Sequence, residues 1–300
     1  MDFNTYLLIW ICVFGLCMGS FYNVVILRSL SGESIVFPPS KCPKCNNKLF
    51  WWHNIPVLSY ILLRGKCYFC KEKISIQYPI IELLTMVLFG ISFLKFGISY
   101  TTLFVIFWLS CLLIMTMTDI KEKLVDCNIA IAMTIGGVLY AWLNGGIHGI
   151  FHSFLGLIAG VLIMELISRA GFIFAKTRAM GEADTYVAGA LGAIFGIFST
   201  VKVLLLSLFA SMIFIIPVFL YNKYKSGDKA TLIAFIFFIL SIVTFYTKYQ
   251  NYWTLSLVMI SGFALAYFVM KGIKQAENRN YLPYVPALAI AGAYYIFFLL

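Results

Sequence analysis

Residues 100–126 read YTTLFVIFWLSCLLIMTMTDIKEKLVD. The first nineteen carry no charge, and the next eight hold Asp119, Lys121, Glu122, Lys123 and Asp126. Nineteen residues of helix cover roughly 28 Å, close to the thickness of a bilayer's hydrocarbon core. The stretch therefore predicts a membrane-spanning helix that ends in a short charged loop, with Asp119 at the junction. A second junction follows the same plan: residues 180–185, MGEADT, place Asp184 where another apolar run opens. A carboxylate at membrane depth is costly, so each is a functional candidate by default.

The rest of the chain belongs to the same class. Hydrophobic residues make up 62% of the 300 residues and charged ones 11%, and mean hydropathy is +0.94. Soluble domains carry about 25% charged residues. Ten candidate spans are read near 5–27, 77–95, 100–118, 127–143, 150–168, 184–199, 201–221, 229–247, 252–270 and 284–300. The expectation is an all-α polytopic membrane protein, a bundle of about eight to ten transmembrane helices. The run from Tyr6 to Leu27 lacks a basic stretch before it and a small-residue cleavage site after it, and reads as a retained helix.

Lysine and arginine set the orientation. If the N-terminus is outside, the loops 28–76, 119–126, 169–183, 222–229 and 271–283 fall inside, and together they hold 19 of the 22 basic residues. The positive-inside rule then puts both termini outside and both aspartates on the cytosolic side. The net charge of +10 is thus a topology signal, with no basic, aromatic-interleaved patch of the kind that binds nucleic acid outside the loops.

Loop 28–76 is the one sizeable segment outside the bilayer, and about 49 residues is near the lower limit for independent folding. It holds Cys42-Pro43-Lys44-Cys45 and Cys67-Tyr68-Phe69-Cys70. Two CxxC pairs at this separation point to one tetrahedral zinc held by Cys42, Cys45, Cys67 and Cys70, with an iron site or redox disulfides as alternatives. Four thiolates leave no open position, so the metal would stabilise a fold. The remaining cysteines, Cys12, Cys17, Cys111 and Cys127, lie in or beside apolar runs and read as small hydrophobes. No internal repeat is read anywhere in the chain.

Two carboxylates that share a site cannot both ionise easily, so Asp119 and Asp184 could divide the roles of general base and general acid on one water. Solvated loop charges are the plain alternative, and Glu122 and Asp126 compete with Asp119 for the role. Glu82 reads as a helix cap or the partner of a base. Glu165 and Arg169 read as a helical i,i+4 pair. His148 and His152 read as interfacial residues on the opposite side, and His53 as a metal ligand only if a cysteine were not. No serine or metallo-hydrolase motif is present.

These residues together resemble the type IV prepilin peptidases, membrane aspartyl proteases of the GxGD type. Residues 19–28, GSFYNVVILR, match the family's N-terminal signature and include Asn23 and Arg28. The block from Cys42 to Glu82 is similar to its cysteine and YPxxELL segment. Asp119 matches the first catalytic aspartate, Gly181 to Asp184 match GxGD with Ala183 in place of the second glycine, and residues 282–289, LPYVPALA, match a C-terminal segment. The resemblance implies cleavage of a prepilin or pseudopilin leader after a glycine at the cytosolic face of a bacterial inner membrane. It also implies N-methylation of the new terminus from S-adenosylmethionine, with zinc tied to that second step. The expected organisation is a first helix 1–27, a zinc domain 28–76 linked to methylation, a protease core 77–222, an added hairpin 223–270, and a loop with a final helix over 271–300. A pilin-binding zinc scaffold without proteolysis and an acid-lined proton or cation transporter are the competing readings. Val125 stands where the family has proline, and an alanine at 183 would be strained if that position needed φ > 0.

Overall fold

The computed structural model describes residues 2–175, 181–225, 227, 229–247, 253, 256, 257, 260, 261, 264 and 284–299. Nine α-helices are described: α1 Phe3–Ser31, α2 Leu58–Leu62, α3 Gln77–Phe96, α4 Tyr100–Glu122, α5 Cys127–Ala175, α6 Glu182–Phe195, α7 Ile197–Lys225, α8 Lys229–Thr247 and α9 Val285–Phe298. A single 3-10 turn, Trp51–Asn54, precedes α2. No strand occurs among the described residues, only two isolated bridges. Among them, Phe3–Ser31, Gln77–Phe96, Tyr100–Glu122 and Cys127–Arg169 are long and apolar enough to cross a membrane, and Ile197–Ile213, Lys229–Ser241 and Val285–Phe298 are shorter apolar helices.

Helix ends follow local chemistry. The Ser99 side chain accepts the Thr102 N–H at the start of α4, and Lys123 adopts the left-handed conformation at its end. Spans 127–143 and 150–168 form α5, which is broken only at Gly146, where φ is +54°. The boundary expected between 199 and 201 is corrected. The chain turns at Gly196, φ +74°, so the sixth span ends at Phe195 and the seventh begins at Ile197. Glycine takes that conformation without a Cβ penalty. Most of the span expected at 252–270, loop 271–283 and residues 176–180 lie outside the described residues.

The chain divides into two compact units, 1–164 with 182–207 and 283–300, and 165–181 with 208–282. The second contains the Arg169–Glu165 pair at 3.0 Å, as its i,i+4 spacing predicts, and a Ser241–Ser261 hydroxyl bond of 2.8 Å.

The first unit contains both aspartates and all eight cysteines, the four knuckle cysteines among them. In it α1 and α3 run antiparallel in close contact. A Cβ on Gly19 would lie 2.6 Å from Cα of Glu82, and one on Gly15 would lie 2.9 Å from Cα of Met86. Small residues four apart let two membrane helices approach this closely. Asn23 closes the same seam by donating to Tyr78 O at 3.2 Å, and Tyr22 ties α1 to α4 through Ser110 at 2.7 Å. Gly156 and Gly160 of α5 meet the backbone of α6 at Gly192 and Ala188 with no room for a side chain. Helix α9 is buried against several of the others. Gly292 faces Leu191 of α6 and Leu112 of α4, Tyr295 bonds to Ser199, and Lys95 donates to the carbonyls of Ile296 and Phe297.

Candidate active site and metal centre

Asp119 lies one turn before the end of α4 and Asp184 in the first turn of α6, where a helix N-terminus favours negative charge. They are 5% and 6% exposed, which distinguishes them from Glu122, which is exposed. Asp126 plays a structural part, since its Oδ1 accepts the Asn128 N–H at 2.9 Å and caps α5. Asp119 Oδ2 accepts the backbone N–H of Val285 at 3.1 Å. The hydroxyl of the preceding residue, Tyr284, shares a 2.7 Å hydrogen bond with Ser207 and lies within electrostatic range of Asp184. Asp119 is therefore oriented by the N-terminal end of α9. Sequence reasoning did not give Tyr284, Val285 or Ser207 a role in the site. The only signal was the segment 282–289, which carries no chemistry of its own.

Gly181 precedes α6, and Ala183 is helical within it. Ala183 is not among the residues with positive φ, so the strain expected at this position does not occur. Glu82 is neither a helix cap of its own element nor paired with a base: its Oε2 accepts the Val57 N–H at 2.7 Å and joins α3 to the cysteine segment. Arg28 donates to the carbonyls of Ser34, Ile35 and Pro38, gathering the chain that leaves α1. His148 and His152 stack on α5 with ring centroids 6.1 Å apart.

The two cysteine knuckles are built alike, 25 positions apart, which corrects the expectation that no repeat exists. Residues 41–49, KCPKCNNKL, and 66–74, KCYFCKEKI, share the pattern KCxxCxxK followed by Leu or Ile. Asn46 and Lys71 both take positive φ, 55° and 60°. Lys41 bridges Lys48 as Lys66 bridges Lys73, and Leu49 N–H bonds Ser40 O as Ile74 N–H bonds Gly65 O. The repeat is short and only its spaced cysteines and lysines are shared, so it is easily missed in one dimension.

The Sγ atoms of Cys42, Cys45, Cys67 and Cys70 all lie within 4.8 Å of one another, and Cys42 and Cys70 are 3.9 Å apart. Zinc–sulfur bonds of about 2.3 Å make a tetrahedron with edges of about 3.8 Å, so this donor set fits one zinc ion. The backbone N–H of Cys70 holds the Cys67 thiol down, to about 7. The Glu72 N–H draws Cys70 down, but desolvation and the three other sulfurs push it up to about 11. Burial lowers the pKa of the His53 imidazole.

The chain is an apolar helical protein with a four-cysteine knuckle segment and two buried aspartates at helix ends, and its sequence falls in a class of bacterial peptidases. The N-terminal domain of bacterial peptidase A24 matches residues 13–96, and the type IV leader peptidase family matches residues 104–216. The chain belongs to this family of prepilin leader peptidases. It is 34% identical to the prepilin leader peptidase/N-methyltransferase of Myxococcus xanthus over 68% of this chain and 60% of that protein. It is 35% identical to the protein of the same name from Neisseria gonorrhoeae over 62% of this chain and 73% of the relative. The Bacillus subtilis relative, also so named, is 35% identical over 52% and 62%. No solved structure matches.

Proposed function

We propose that the chain is a membrane aspartyl endopeptidase that removes the leader of type IV prepilins or pseudopilins after a glycine, then methylates the new N-terminus. The observation that carries the reading is the burial of both Asp119 and Asp184 at helix ends, 5% and 6% exposed, with Asp119 fixed by the Val285 N–H. One carboxylate, ionised, takes a proton from water. The water oxygen attacks the carbonyl carbon of the scissile bond, and the other carboxyl group gives its proton to the departing amine nitrogen. The Val285 N–H holds Asp119 in one orientation, and the Tyr284 hydroxyl, fixed by Ser207, lies within electrostatic range of Asp184.

The distribution of basic residues supports an inner-membrane protein with this site at the cytosolic face. A prepilin has its leader in the cytosol and an apolar helix in the bilayer, which brings the scissile bond to that depth. Cys42, Cys45, Cys67 and Cys70 would hold zinc as a closed structural site. The name shared by the relatives supports a methyl-transfer step, for which S-adenosylmethionine would supply an electrophilic methyl group. Co-expression with a prepilin, read by mass spectrometry, tests the reading. Loss of the leader mass and gain of one methyl group are expected with the wild-type chain, and neither with Asp119→Asn or Asp184→Asn. An intact leader in the presence of the wild-type chain would overturn it.

A further inference from the structure

The short helix α2 is built the wrong way round for a helix in water. Leu58, Ile61 and Leu62 are spaced i, i+3 and i+4 and share one face, and they are 58%, 63% and 76% exposed. Ser59 and Tyr60 are half-buried instead. A helix on a soluble domain turns such a stripe toward its core. Trp51, in the 3-10 turn that contacts α2, is 79% exposed as well. Single apolar side chains on a surface are ordinary, but three on one face of a five-residue helix, with a tryptophan in the adjoining turn, form a patch.

The place of this patch says what covers it. Val57, the residue before α2, donates its N–H to Glu82 Oε2 at 2.7 Å. Glu82 is the sixth residue of α3, about 8 Å along the axis from its start. Helix α2 therefore begins beside the first turns of a helix long and apolar enough to cross a membrane. That helix has 20 residues, about 30 Å, so its first turns lie at the border of the hydrocarbon. Ile76 and Ile80, at the same end of α3, are exposed too. Charge points the same way. Residues 28–76 hold eight lysines and arginines against Glu33 and Glu72, and the exposed Arg64 and Lys66 follow α2 closely. An apolar face with basic residues and a tryptophan beside it is the composition of a segment that lies in a membrane interface. A second copy of this chain would bring the same positive charge to the same face, which disfavours that partner.

We propose that Leu58, Ile61 and Leu62 rest in the headgroup–acyl boundary of an anionic bilayer, in the leaflet where α1 ends and α3 begins, with Arg64 and Lys66 against lipid phosphates. The proposal rests on α1 and α3 crossing a membrane and is independent of the chemistry of the two aspartates. Helices α1 and α3 form one antiparallel post, so the segment between them stands on a single foot. The lipid contact supplies a second foot and fixes the tilt of the segment. Attraction between basic residues and anionic headgroups fades within a Debye length, so it acts on a segment already held close to the leaflet, as the Val57–Glu82 bond holds this one.

A fluorescent amino acid encoded in place of Leu62, in the zinc-loaded full chain at a single copy per lipid nanodisc, tests this. In discs of phosphatidylglycerol and phosphatidylcholine, lipid brominated on the upper acyl chain should quench it at least about twofold, and aqueous iodide should quench it little. Adding Leu58→Asp and Ile61→Asp, both at exposed positions, should abolish the lipid quenching and admit iodide. Omitting phosphatidylglycerol should reduce the lipid quenching, as should Arg64→Gln. Iodide quenching without lipid quenching in the anionic discs would overturn the proposal, because the face would then stand in water. Shielding from both quenchers would overturn it equally, by showing that protein covers the face. Equal lipid quenching with and without phosphatidylglycerol would strike the headgroup contact of Arg64 and Lys66.

Discussion

The carboxylate of Asp119 accepts the backbone N–H of Val285 at 3.1 Å, across 166 residues of chain. An acid on α4 is thus oriented by the first turn of α9. Because asparagine keeps an acceptor oxygen and alanine does not, the two substitutions separate orientation from chemistry. Asp119→Asn should fold like the wild type and lose leader cleavage by at least about a thousandfold, as expected when a general base is removed. Asp119→Ala should lose cleavage equally and also cost about 1–3 kcal/mol of stability, since it leaves the buried Val285 N–H unpaired. Cleavage assays with thermal unfolding in detergent would check both. Equal stability of the two variants would show that the Val285 contact contributes little.

Tyr284 shares a 2.7 Å hydrogen bond with Ser207 and lies within electrostatic range of Asp184. Tyr284→Phe should leave substrate binding unchanged and slow cleavage about tenfold, roughly 1.4 kcal/mol at the transition state. Ser207→Ala should have a smaller effect in the same direction. Residues in one hydrogen-bonded unit are not additive, so the double variant should be no slower than Tyr284→Phe alone. Steady-state kinetics on a leader peptide in detergent would show the fall in kcat. An additive double variant would mean that Ser207 acts elsewhere.

The metal centre should respond to acid. Without metal the Cys67 thiol is held down and the Cys70 thiol is pushed up, so the two oppose each other in how folding depends on pH. Zinc binding decides the sign, because thiolates must be deprotonated to bind metal. Zinc release, followed with a chromogenic chelator, should therefore rise as pH is lowered. Cys42→Ser should release zinc already at neutral pH and abolish methylation while sparing leader removal. Parallel loss of cleavage would mean that the zinc segment also supports the protease.

Membrane class and the four-cysteine cluster were legible in the sequence because each rests on a local signal: long apolar runs and a fixed cysteine spacing. Asp119 and Asp184 could be singled out for the same reason. The partner of Asp119 could not, since a backbone N–H at Val285 has no signature in side-chain identity. Glu82 was misassigned because its partner is also a backbone N–H, that of Val57. The turn at Gly196 was placed a few residues late because the hydropathy of 184–199 and 201–221 is continuous, and only φ at one glycine separates the helices. Ala183 looked strained by comparison with a motif, but the position is helical and suits alanine. Ala183→Gly should accordingly cost about 1 kcal/mol of helix stability and give no gain in cleavage.

The contact between α5 and α6 sets where Asp184 can stand. A Cβ at Gly156 would collide with the carbonyl of Gly192, and one at Gly192 with the carbonyl of Gly156, so backbone meets backbone with no side chain to yield. Asp184 lies two helical turns before Gly192 on α6, and pushing the helices apart would carry it away from Tyr284. Gly156→Leu and Gly192→Val should each lower stability by at least about 1–3 kcal/mol, the usual cost of overpacking. Cleavage should fall even at temperatures where the protein stays folded. Gly145, which has open space around its would-be Cβ, provides the control, and Gly145→Ala should match the wild type in both stability and cleavage. Thermal unfolding and leader cleavage measured on all three variants would decide. A fully active Gly156→Leu would mean that the α5–α6 seam does not position the second aspartate.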